Sequence, residues 1–179
     1  MDAHTALWQV RQMSPAAPSP FWTFSLEIYG RPGVPPACLT LQGESGVDVN
    51  ILLFGLFMAR SGRSLSVADF RTIDTTMEPW RIAAVVPLRS VRTFLKTPPA
   101  AFAHEATEAL RTRVKAVELE AERLQQEALF AHFPAAECGA PAAALHETAR
   151  ANIAAYGGFL GKSFDEAAVG TILGAFSPA

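Results

Sequence analysis

The sequence predicts an all-α, single-domain bundle of about seven helices, and three observations carry that expectation. Apolar residues recur at three- and four-residue intervals, which gathers them on one face of a helix, rather than alternating as half-buried strands require. Proline and glycine fall where helices start and stop. At 179 residues, half of them hydrophobic and many of those alanine, the chain is large enough to bury one core without metal or disulfide staples.

Taken in order, residues 1 to 19 read as a flexible tail with a short helical piece around Ala6 to Met13, ending in the linker Ser14-Pro15-Ala16-Ala17-Pro18. Ser19 is placed to cap a helix whose first residue is Pro20, where a missing N–H costs nothing, and Phe21, Phe24 and Ile28 then share a face. Gly30 and Pro32 stop it. A second helix is expected from Val34 to Glu44, with Pro35 and Pro36 in its first turn and Gly46 in the left-handed conformation beyond its end. Asp48 caps a third, running to Ser61 and closed by Gly62. Ser66 to Asp69 start a short fourth that fades near Thr75 and Thr76.

From Pro79 to Lys96 the pattern is helical again, with Pro87 set to kink or break it, and Pro98-Pro99 end it. The longest helix follows, Phe102 to Phe133, carrying Leu110, Val114, Val117, Ala121, Leu124 and Ala128 at alternating spacings of four and three. That is a seam for a neighbouring helix. A helix from Ala142 to Tyr156 and a last one from Phe164 to Phe176, with Ser163 and Glu166 spaced as a capping box, complete the chain.

Several function classes are disfavoured. With 15 basic and 17 acidic residues the net charge is -2, so there is no global field for nucleic acid and any anion site must be local. Cys38 and Cys138 fit neither a disulfide framework nor a zinc spacing and read as reduced thiols of a cytoplasmic protein. No export signal is visible, and the most apolar window, Ile51 to Ala59, is far below the roughly 20 residues that span a bilayer. His4, His104, His132 and His146 lack metal spacing, so no metal and no cofactor is expected. Gly157 to Ser163 imitates a phosphate loop, but Tyr156 stands where the Walker pattern needs glycine and a helix precedes it instead of a strand. It reads as a glycine-rich turn whose Gly157 and Gly158 allow close backbone approach.

One segment carries a resemblance. At Phe21-Trp22-Thr23-Phe24-Ser25-Leu26, Tyr29, Gly33-Val34, Cys38-Leu39-Thr40-Leu41-Gln42 and Gly46-Val47-Asp48-Val49-Asn50-Ile51-Leu52-Leu53 the chain resembles a family of small proteobacterial proteins catalogued only as a domain of unknown function. The likeness is dense over residues 20 to 60 and thinner over Trp80 to Glu122, where Trp80, Pro87-Leu88-Arg89, Arg92 and Lys96 are its points. It implies the helical single domain and brings no activity, cofactor or catalytic residue.

Two constellations remain. Asp48 and Asn50 sit inside an apolar run, Asp48 as a helix cap and Asn50 bonded to a loop; no second titratable group is near in sequence, and Glu27 or Glu44 could supply one in three dimensions. The other is basic. On a helix continued through Pro87, residues Arg81, Arg89, Arg92 and Lys96 form one stripe, and a turn at Pro98-Pro99 folds the long helix back against it. That register sets Arg92 near Glu108, Arg89 near Arg111, and Arg81 near Glu118 and Glu122. Arg89, Arg92, Arg111 and Lys115 then form a cationic cluster faced only by Glu105 and Glu108, suited to a phosphate or carboxylate.

Lacking catalytic parts, the chain reads first as a non-enzymatic interaction or regulatory module, meeting a protein partner or a second copy through the Leu110–Ala128 seam. The alternative is a binder or enzyme for a small anionic, partly apolar ligand, held by the Arg/Lys cluster and an aromatic pocket. A cavity of roughly 300 Å³ or more opening onto those cations favours the second; a filled core with an exposed apolar seam favours the first.

Overall fold

The computed structural model describes residues 17–176, so the short helix expected around Ala6 to Met13 lies outside the described residues. Eight α-helical segments are present among them: α1 Pro20–Tyr29, α2 Val34–Ser45, α3 Val49–Arg60, α4 Val67–Trp80, α5 Val86–Phe94, α6 His104–His132, α7 Leu145–Leu160 and α8 Glu166–Phe176. A π-helical stretch, Arg81–Val85, joins α4 to α5, so the two run as one distorted rod and the segments amount to seven rods. The only sheet among the described residues is an antiparallel pair, β1 Arg63–Ser64 and β2 Ala140–Pro141. The fold is all-α.

The first three helices begin and end where their punctuation places them. Ser19 Oγ accepts from the Trp22 N–H at 3.1 Å, Gly46 closes α2 at φ 70°, and Asp48 caps α3 by accepting from the Asn50 N–H at 2.9 Å. Helix α3 is apolar on every side, as a helix at the centre of a domain must be. All its residues from Asn50 to Ala59 except Phe57 are buried. Around it α1 contributes Phe21 and Phe24, α4 Phe70 and Ile73, α6 Leu129, and α7 Ile153 and Tyr156. The Phe21 and Phe54 rings meet edge to face at 5.2 Å, and Tyr156 stacks on Phe70 at 5.0 Å. Each such side chain taken from water contributes about 1.5–3 kcal/mol.

Asn152, fully buried on α7, fixes the chain leaving α3. Its amide donates to the carbonyls of Gly55 (2.9 Å) and Arg63 (3.1 Å), while its oxygen accepts from the Leu65 N–H at 2.8 Å. Beside it, Gly139 is left-handed at φ 70°, and a Cβ there would sit 2.5 Å from the Ser64 carbonyl oxygen, so glycine is required for β2 to reach β1.

Four expectations need correction. Helix α4 does not fade at Thr75 and Thr76 but runs to Trp80 with Pro79 inside it. Pro87 neither breaks nor merely kinks the rod: the Val86 N–H reaches back five residues to the Arg81 carbonyl, and the extra residue of this π turn accommodates a ring that would clash four residues back. Gly157 and Gly158 lie inside α7, whose end is set by Gly161 at φ 63°. Both nevertheless permit close approach, to the Lys162 carbonyl and the Val67 side chain. Finally, Asp165 rather than Ser163 begins α8, accepting from the Ala168 N–H at 2.7 Å.

Candidate functional site

Helix α5 has no buried residue. Its attachment to α6 is ionic: Arg89 donates to Glu118 (3.2 Å) and Glu122 (2.8 Å), and both Nε and Nη2 of Arg92 donate to Glu118. Glu118 is only 5% exposed, and a carboxylate so buried needs charged donors to offset its lost hydration. The hydrogen bond to Glu118 holds the Arg92 guanidinium above its ordinary pKa. Burial pushes the Glu122 carboxyl up, although Arg89 opposes the shift.

This register differs from the expected one. Arg92 meets Glu118, not Glu108, and Glu118 and Glu122 belong to Arg89 and Arg92, not to Arg81. The turn is the reason. Residues 95–103 separate α5 from α6, and nine extended residues span up to ~30 Å, enough to slide α6 by the ~15 Å that ten helical residues occupy. Arg81 instead pairs with Asp74 at 2.7 Å and Asp48 at 3.3 Å. Burial alone would lower its pKa, but the Asp74 hydrogen bond and the two carboxylate charges outweigh it, so the pKa rises.

Between this hairpin and the layer of α1, α2 and α3 lies a cavity of about 520 Å³. Its floor is the buried set Ser25, Asn50, Leu53, Glu118 and Gln126, and its wall includes Trp22 and Tyr29. Exposed residues form the rim, among them Leu26, Leu39, Lys96, Lys115 and Leu119. Of the predicted cationic cluster, Arg89, Arg92 and Lys115 line the cavity. Arg111 does not: its Nη1 donates to Glu108 at 2.9 Å, one turn away on the same helix. Among the described residues neither Lys96 nor Lys115 has a carboxylate partner.

A hydrogen-bonded relay of amides leads to the floor. Gln125 Nε2 donates to Asp48 Oδ2 (2.7 Å), Asn50 Nδ2 to Gln125 Oε1 (3.0 Å), and Gln126 Nε2 to Asn50 Oδ1 (2.8 Å). Asp48 and Asn50 thus act together, and the Asp48 N–H donates to the Tyr156 hydroxyl oxygen at 3.0 Å. Glu27 stands apart, paired with Arg31 and Arg60 and 44% exposed. Gln126 Oε1 and Ser25 Oγ, both buried, have no protein hydrogen-bond partner. The expected positions missed both, and also Lys96 as a rim cation free of acids. Their signals were available: Ser25 interrupts the run Phe21 to Leu26, and Gln125-Gln126 interrupts the apolar side of the long helix.

The family model described as "Protein of unknown function (DUF2390)" matches residues 20–129, well over half of the chain. The chain belongs to the DUF2390 family. Every cavity-lining residue, from Trp22 to Gln126, falls inside the matched segment, while α7 and α8 lie outside it. No curated protein and no solved structure matches the chain. Among the described residues no group of three His, Cys, Asp or Glu side chains is placed to hold a metal ion, and no helix is long and apolar enough to cross a membrane.

Proposed function

We propose that this DUF2390 member binds a small anionic, partly apolar molecule in the cavity between the α5–α6 hairpin and α1 to α3. One observation carries the reading: a cavity of about 520 Å³ combines an apolar wall with a rim where Lys96 and Lys115 have no acidic partner. The volume is that of a small-molecule site rather than a packing defect. Because Arg89 and Arg92 are already engaged by Glu118 and Glu122, the lysines are the charges an incoming phosphate or carboxylate meets first. No catalytic step is assigned to the site.

The test is a thermal-shift panel of phosphorylated and carboxylated metabolites on the wild type and on a Lys96→Glu/Lys115→Glu variant. At saturating concentration a true ligand raises Tm by about 5 °C or more, and the charge-reversed protein loses that shift. If no compound in the panel moves Tm, the reading fails.

A second reading rests on a different surface. Leu110, Val117 and Leu124, seven residues apart on α6, are 41%, 54% and 43% exposed, a stripe suited to a protein partner or a second copy. Sedimentation of the wild type against Leu124→Glu tests self-association through it.

A further inference from the structure

The direction of the amide relay dictates what the cavity's occupant must carry at its buried end. An Asn or Gln side chain presents an acceptor and a donor, and which faces which way is settled by its neighbours. Here one end of the chain is not free to choose. Asp48 is a carboxylate whose Oδ1 caps α3 and whose Oδ2 also receives Arg81, so it only accepts. Gln125 must therefore turn its NH2 toward Asp48, which turns its oxygen toward Asn50. Asn50 must then present its oxygen to Gln126, and Gln126 must donate back to it. Each link fixes the next, and Gln126, a residue of the cavity floor, is left with its Oε1 as a buried acceptor to which nothing donates. Ser25, a cavity-lining residue of the facing helix α1 that is 3% exposed, also has a buried hydroxyl without a partner.

Leaving a buried polar atom unsatisfied costs about 1–3 kcal/mol, and two residues that line the site carry one: Gln126 Oε1, an acceptor, and the Ser25 hydroxyl, donor or acceptor. We infer that the molecule bound here is bipolar, with a phosphate or carboxylate at the Lys96–Lys115 rim, an apolar middle, and at the floor a neutral hydroxyl or amide whose N–H or O–H is received by Gln126 Oε1, the Ser25 hydroxyl serving as a second partner that can donate or accept. The inference rests on the binding reading above and adds the sign of the contact at Gln126 Oε1: a donor is accepted there, and a group that only accepts leaves that oxygen unpaired. Glu118 and Glu122, close by, also repel a second negative charge, which places the anion at the rim and not at the floor.

Three probes on one eight-carbon acid separate these claims: octanoate, ω-hydroxyoctanoate and ω-methoxyoctanoate, titrated calorimetrically into the wild type, Ser25→Ala and Gln126→Met. The hydroxy acid is expected to bind about tenfold tighter than the methoxy acid, which keeps the oxygen and loses the donor. That ratio falls toward one in Gln126→Met and is kept in Ser25→Ala, which removes a hydroxyl able to donate to the oxygen of either probe. If Gln126→Met does not fold, the wild-type ratio and Ser25→Ala decide. Equal or tighter binding of the methoxy acid overturns the inference and leaves the binding reading standing. Binding of none of the three overturns both.

Discussion

Glu118 accepts from two guanidinium groups while 5% exposed, so its removal strands Arg92 and takes one of the two acceptors of Arg89. Glu118→Ala should cost about 2 kcal/mol in denaturant unfolding. That is below the ~3–5 kcal/mol of a fully buried pair, because Arg89 and Arg92 retain contact with solvent and Arg89 keeps Glu122. Glu118→Gln, which leaves one acceptor, should cost about half as much. Its neighbour Glu122 has a pH signature. Burial raises its folded pKa above the ordinary value of 4.5, so the native state holds a proton that the unfolded chain has released. Stability attributable to this group therefore falls as pH rises from about 4.5 through the folded pKa and is flat above it. In urea titrations across that window the wild type should lose this increment, and Glu122→Gln should not. Cys38 behaves as a core residue: burial pushes its thiol up to about 12, far from a nucleophile's range.

Helices α3 and α5 are opposites. The first is enclosed by α1, α4, α6 and α7, while the second touches α6 through ion pairs and buries none of its residues. Elements with few buried apolar contacts open at low free energy, so amides of residues 88–94 should exchange with deuterium well before those of residues 52–59. Equal protection in both would show that the ionic attachment is stronger than its exposure implies. At this scale the helix starts were legible, because Ser19, Asp48 and Ser66 announce them by local chemistry. The register of the α5–α6 hairpin was not. Two prolines mark that a turn occurs, but how far the second helix slides is set by whether Glu118 or Glu108 finds the arginines, a tertiary outcome that spacing does not encode. The π turn was hidden for a related reason: Pro87 states that the ladder is interrupted, and the packing around it selects the repair.

Across the whole molecule, apolar periodicity was enough to name Phe21, Phe24, Ile28 and the α3 run as core. It could not show that the polar residues among them would join into a relay from Arg81 to the cavity floor, because its links come from α3 and α6, which are distant in sequence. The expected cationic cluster was partly assembled for the same reason, with Lys115 at the rim and Arg111 bound to Glu108 away from it.

The position of α7 against α3 has a practical corollary for the recognisable part of the chain. The matched segment stops at residue 129, yet Ala149, Asn152, Ile153 and Tyr156, all supplied later, cover one side of the central rod and clasp the strand leaving it. A fragment trimmed to residues 20–129 keeps every cavity residue and strips the back off the molecule. It should give a collapsed, dye-binding species without a cooperative melt, whereas residues 17–176 should melt in one step. On that outcome the stretch that defines kinship is shorter than the stretch that stands alone.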